Sequence, residues 1–157
     1  QIIGDKPMIR EYHPNDLHSI ISIWLQGNEQ AHNFIDPNFF KQNYALVEML
    51  IPMSSVYVQD INGVKGFIGL TENYISGIFV DETFRHKGTG KALIEKAKQR
   101  HNELQVHVYK KNSNAINFFL SQNFKIVSES INEETNQPEW LMQCNVEHHV
   151  KIGKCAL

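Results

Sequence analysis

Apolar positions follow two different periods along this chain, and the switches between them outline the fold. Leu17, Ile20, Ile21, Trp24 and Leu25 recur at three- and four-residue spacing, which predicts a helix over 17–25 ended by Gln26-Gly27-Asn28. Phe39, Phe40, Tyr44, Val47 and Leu50 repeat the pattern over 39–50 until Pro52. Between them lies a loop over 31–37, in which Pro37 keeps Asp36 out of helical geometry. The middle of the chain then turns β-rich. Residues 55–61 and 64–71 flank Asn62-Gly63, a strong hairpin signal. Residues 74–80 form a third strand after a turn at Glu72-Asn73. A helix over 89–101 follows, then the alternating strand Leu104-Gln105-Val106-His107-Val108-Tyr109, a helix over 114–122 and strands over 124–129 and 140–146 around a polar hairpin loop. Met8 to Tyr12 serves as an edge strand. The order predicts a single α/β (α+β) domain over 8–147 with one mixed, mainly antiparallel sheet and helices on its faces.

Composition removes several classes. The 157 residues suit one domain with a core of its own. Their 15 basic and 17 acidic side chains leave a net charge of −2, which argues against a dedicated nucleic-acid binder. No apolar run approaches the roughly 20 residues of a membrane span. Cys144 and Cys155 form no Cys-x-x-Cys pair, and His148-His149 has no metal-ligand spacing, so no metal is expected and reduced thiols point to the cytoplasm. Gln1 to Pro7 reads as a leader outside the fold, and residues 148–157 as a tail.

The most informative stretch runs from Ile78 to Ile94, an apolar strand end followed by Arg85-His86-Lys87-Gly88-Thr89-Gly90-Lys91 and a helix. Helix starts carry unpaired N–H groups and partial positive charge, and glycines let a ligand approach that backbone closely, so the loop suits a phosphate-bearing group. A P-loop would need Gly at 85 and a hydroxyl at 92, where Arg and Ala stand; a dinucleotide fingerprint would need Gly at 93, where Leu stands. What remains, Arg-x-x-Gly-x-Gly, resembles the pyrophosphate loop of the GNAT N-acetyltransferases. A second stretch, Asn112-x-x-Ala115-x-x-Phe118-Phe119 ending in Asn123-Phe124, is similar to that family's Asn-x-x-Ala-x-x-Phe-Tyr-x-x-x-Gly-Phe helix. Trp24-Leu25, His32-Asn33-Phe34-Ile35 and Pro138-Glu139-Trp140 are most like the small bacterial YiaC/YjaB-type acetyltransferases.

The resemblance implies the GNAT fold and an acetyl-CoA-dependent transfer of an acetyl group to a primary amine, directly within a ternary complex. The acceptor would be a protein N-terminus, a protein lysine or a small amine, with no membrane or nucleic acid as partner, and the chain a monomer or a homodimer. Ile78, Phe79 and Val80 would hold the pantetheine and acetyl groups through their backbone. Arg85, His86, Lys87, Gly88, Thr89, Gly90 and Lys91 would take the pyrophosphate, and Asn112, Ala115, Phe118 and Phe119 would complete the coenzyme A site. Phe119 departs from the family, since the tyrosine usually found there supplies the acid. His107 occupies the position where ribosomal-protein acetyltransferases of this family carry a glutamate, and is a candidate base; Tyr74 and Glu72 are further catalytic candidates. His32, Phe34 and Tyr74 would line the acceptor pocket. The lost tyrosine also allows a rival reading: a weak or inactive coenzyme A-binding module, acting as a sensor or partner subunit.

Overall fold

A computed structural model of the chain describes residues 8–147; the expected leader, the tail, Cys155 and the His148-His149 pair lie outside the described residues. The elements in order are β1 (Met8–Glu11), α1 (Leu17–Ala31), α2 (Pro37–Leu50), β2 (Ser55–Asp60), β3 (Val64–Thr71), β4 (Tyr74–Val80), α3 (Thr89–Arg100), β5 (Glu103–Tyr109), α4 (Ser113–Ser121), β6 (Lys125–Ile131) and β7 (Pro138–Asn145). One seven-stranded sheet runs β1-β2-β3-β4-β5-β7-β6. Every neighbouring pair is antiparallel except β4 and β5. Strand alternation divides the apolar side chains between its two faces. Val56, Val58 and Phe67 pack with Ile20, Ile21 and Ile23 of α1. Tyr57, Ile68, Leu70, Leu104, Val106 and Val108 pack on the other face with Leu93, Ile94 and Ala97 of α3 and Phe119 of α4. Helices therefore cover both faces.

Two expectations need correcting. The first helix does not stop at Gly27 but runs to Ala31. Gly27 is buried, and a Cβ there would sit 2.5 Å from Cδ1 of Phe79. The glycine is present for close approach of helix and sheet, not as a terminator. The second helix begins two residues early, because Asp36 accepts from the Asn38 N–H and Pro37 takes the first helical position, where its missing N–H costs nothing. β7 lies between β5 and β6, which leaves the fully exposed β6 at the edge.

Candidate active site

The centre of the molecule is where the one parallel pair comes apart. Pairing between β4 and β5 is confined to Tyr74↔Gln105 and Ile75↔Val106. The β3–β4 register passes from Gly69↔Gly77 to Leu70↔Ile75, leaving Ser76 without an opposite residue as a β-bulge. A bulge bends and twists its strand. Beyond it, residues 77–80 of β4 have no pairing with β5, and their backbone groups on that side line the parting. Tyr74 and His107 stand at the apex. The Tyr74 hydroxyl and His107 Nδ1 are 2.8 Å apart, with His107 exposed to solvent. Burial and then the negative charge of Glu139 raise the Tyr74 pKa above its ordinary value, so the phenol keeps its proton at neutral pH. Glu72 lies two residues before Tyr74 in the chain. It is an exposed turn residue with φ +53°, before the paired segment of β4, and no hydrogen bond joins it to Tyr74 or His107.

At the other end of β4 the chain enters the Gly-rich loop. Asp81 accepts from the Thr83 N–H, setting a short 3-10 turn over Glu82–Phe84. His86 and Gly88 then adopt left-handed conformations, φ +63° and +84°, which turn the backbone into the start of α3. The loop's cations are held in place. Arg85 Nη2 donates to Gln30 of α1 at 2.8 Å, and Lys87 Nζ lies 4.7 Å from the Phe84 ring centre with Lys65 on the same ring at 4.9 Å. Thr89 turns its side chain inward and leaves its backbone to the loop. It is 2% exposed and its hydroxyl donates to Gln59 of β2, so only its backbone is available to a ligand. Gly90 packs on α4, where an added Cβ would lie 3.1 Å from the Phe118 ring. Phe118 thus serves the contact between α3 and α4. Phe119 is 3% exposed and makes edge-on ring contacts with Phe118 and Phe124, inside the core. Ile78 and Phe79 also send their side chains into the two cores, leaving backbone as their contribution to the parting.

Asn112 lies across the parting from β4 and caps α4, its Oδ1 accepting from the Ala115 N–H at 3.1 Å. His32 is held at both ring nitrogens. It is 9% exposed, Nδ1 lies 2.9 Å from Asn28 Oδ1, and Nε2 lies 3.0 Å from Asn112 Nδ2. Desolvation pushes its pKa down to about 4. Phe34 packs edge-on against His32 and Tyr109, under Lys111. Glu139 was not singled out by sequence reasoning as a site residue. The β5–β7 register sets it opposite Tyr109, and its charge raises the pKa of both Tyr74 and Tyr109, though burial is the larger cause in each. Only the strand pairing could have revealed it. Among the described residues no group of three or more His, Cys, Asp or Glu side chains could hold a metal, and no helix is long and apolar enough to cross a membrane.

Comparison with known proteins agrees with this geometry. Residues 52–126, the span from β2 through the loop to the start of β6, match the acetyltransferase (GNAT) domain family. The chain is 34% identical over 138 residues to the peptidyl-lysine N-acetyltransferase YiaC of Escherichia coli, covering 86% of this chain and 94% of that one. The solution structure of apo YjaB from Escherichia coli superposes with a TM-score of 0.78 at 22% identity, over 88% and 97% of the two chains. The structure of yncA from Salmonella typhimurium with its cofactor acetyl-CoA gives 0.65 at 16% identity over 93% and 97%. One residue in three in common with a relative over nearly its whole length, and a domain-family match from β2 to the start of β6, place the chain in the GNAT acetyltransferase family.

Proposed function

We propose that the chain transfers an acetyl group from acetyl-CoA to the ε-amine of protein lysines. The observation that carries this reading is the parting of β4 and β5 with Tyr74 and His107 hydrogen-bonded at its apex. The residues present fit acetyl-CoA. The loop from Arg85 to Lys91, at the N-terminus of α3, offers backbone N–H groups with the held cations Arg85 and Lys87 for a pyrophosphate. The unpaired edge of β4 suits an amide-bearing arm, and a backbone N–H there would stabilise charge developing on the acetyl oxygen by a few kcal/mol. When bound, acetyl-CoA supplies an acyl group on a sulfur able to leave as thiolate. The lysine nitrogen attacks the carbonyl carbon, a C–N bond forms and the C–S bond breaks. His107 takes the proton that the ammonium must lose, and Tyr74, kept protonated by its surroundings, gives one to the departing sulfur. Tyr74 thus replaces the hydroxyl absent at Phe119. Glu139 beside Tyr74 and Tyr109 favours a cationic acceptor, which supports lysine, as does the activity for which YiaC is named. The buried free thiol of Cys144 suits a reducing, cytoplasmic setting.

The test is mass spectrometry with isotope-labelled acetyl-CoA and a pool of lysine peptides, free N-terminal peptides, amino acids and polyamines. Label on lysine side chains is expected, falling about 10-fold or more in Lys87→Glu, which places a carboxylate in the phosphate loop. Label on N-termini or polyamines alone would refute the lysine acceptor. Binding of acetyl-CoA with no acceptor labelled would favour the catalytically silent module that Phe119 suggests.

A further inference from the structure

An unbroken run of hydrogen bonds joins α1 to the N-cap of α4 across the parting, and its chemistry permits only one arrangement. Asn28 Nδ2 donates to the Trp24 carbonyl at 2.9 Å, which turns Asn28 Oδ1 toward His32. An amide oxygen only accepts, so His32 Nδ1 must carry the ring proton and donate to it at 2.9 Å. A neutral imidazole with its proton on Nδ1 has an acceptor at Nε2, and that atom takes an N–H from Asn112 Nδ2 at 3.0 Å. Asn112 Oδ1 then faces the Ala115 N–H at 3.1 Å. Each group in the run fixes the next. What is left over on Asn112 is its second Nδ2 proton and one lone pair on Oδ1.

We propose that His32 is a positioning residue for coenzyme A binding, holding the Asn112 carboxamide in the one orientation that directs its spare N–H into the parting between β4 and β5. The proposal rests on the acetyl-CoA reading above. A lone N-cap asparagine keeps its oxygen on the helix but leaves its nitrogen free to rock about the last side-chain bond. His32 removes that freedom from a helix that does not contain it. The T-shaped contacts of the His32 ring with Phe34 and Tyr109 hold the ring itself, at centroid distances of 5.7 and 5.0 Å. The donor so presented suits a carbonyl oxygen of an amide-bearing chain, and the 80 positions that separate His32 from Asn112 in sequence explain why nothing local announces the pairing.

The experiment compares His32→Phe, which keeps an aromatic ring but loses both hydrogen bonds, with His32→Gln, which restores an acceptor for Asn112. Steady-state kinetics with acetyl-CoA and a lysine peptide should show KM for acetyl-CoA raised about 10-fold in His32→Phe, the effect of one lost hydrogen bond. KM for the peptide and kcat at saturation should stay close to the original, and His32→Gln should recover much of the loss. In Asn112→Ala the His32→Phe change should add nothing further. Nitrogen-15 spectra of the unmodified protein should show His32 neutral with its proton on Nδ1. A fall in kcat or a rise in peptide KM alone would make His32 an acceptor-site residue and overturn the proposal, as would additive effects in the double variant or a proton on Nε2. If the unmodified protein binds no acetyl-CoA while His32 shows the Nδ1 proton, the acetyl-CoA reading has failed and takes the proposal with it, even though the hydrogen-bond run stands.

Discussion

Tyr74 is kept protonated by its surroundings, although a hydrogen bond with His107 pulls the other way. Burial and the charge of Glu139 both favour the neutral phenol, and the 2.8 Å contact with His107 Nδ1 keeps a nitrogen beside it. A donor that keeps its proton at neutral pH can pass it to a departing thiolate, and Phe119, sealed in a ring cluster, has no such proton. Tyr74→Phe is therefore expected to lower kcat by roughly 10²-fold, the usual scale of one lost proton-transfer group, with KM for acetyl-CoA nearly unchanged. The sign with pH follows from the raised pKa. The phenol is protonated below its folded-state value, so any loss of rate due to its ionisation begins above the ordinary value of about 10, and that loss disappears in Tyr74→Phe. Steady-state rates between neutral and alkaline pH check both statements. A variant with unchanged kcat would take Tyr74 out of the mechanism. The same Tyr74–His107 pair illustrates what local sequence can carry. His107 stood out at the position where relatives carry a glutamate and Tyr74 near the start of a strand, yet only the structure shows that they touch, because parallel strands joined through a helix meet at a register the sequence does not display.

At the scale of elements, α1 is fastened to the sheet at a point where helix propensity and packing disagree. Gly27 lies inside the helix, where alanine would be favoured by up to about 1 kcal/mol. Yet a Cβ there would meet Phe79 at 2.5 Å, and Phe79 is itself held against Phe67 at a centroid distance of 5.9 Å. Overpacking of this kind costs about 1–3 kcal/mol, so the clash outweighs the propensity. Gly27→Ala is expected to lower the unfolding free energy by roughly 1–2 kcal/mol in denaturant titration, and a stabilised variant would show that the helix simply shifts outward. Because α1 also carries Asn28 and Gln30, which hold His32 and Arg85, the same substitution should weaken acetyl-CoA binding. Sequence alone read Gly27 as a stop signal, since glycine ends helices more often than it packs in them. The strands and the Gly-rich loop were easier to read. Their determinants are local: alternation in β5, positive φ at Asn62 and Gly63 in the hairpin, and two glycines opening α3. Gln59 on Thr89, Gln30 on Arg85 and His32 on Asn112 were not legible, because each joins residues 30 or more positions apart.

For the whole molecule, a buried histidine and two paired carboxylates make stability fall in successive stages as pH drops. His32 is neutral in the fold down to about 4, whereas in an unfolded chain a histidine takes its proton near 6.5. Between those values the unfolded state binds more protons, so stability is full above about 6.5 and declines as pH falls toward 4. The span corresponds to roughly 3 kcal/mol, or on the order of 10 °C in Tm for a domain of this size. The next stage belongs to carboxylates. Asp16, which accepts from Arg10 at 2.8 and 2.9 Å and joins β1 to the start of α1, is held below the usual range by that guanidinium. Asp60 on β2 is lowered first by the Gly63 N–H and then by Arg10. Their stabilisation is present above the ordinary carboxylate range and is lost only as pH falls through their lowered values. Thermal unfolding followed by circular dichroism from pH 7.5 to 3 should therefore show a first decline in the original chain that is absent from His32→Phe, followed by a second decline common to both. The variant should be the less stable at pH 7.5, having lost two hydrogen bonds, and the gap should narrow toward pH 4.5 as the proton cost of burying His32 grows in the original. Parallel curves would mean that the buried imidazole does not titrate as its surroundings dictate.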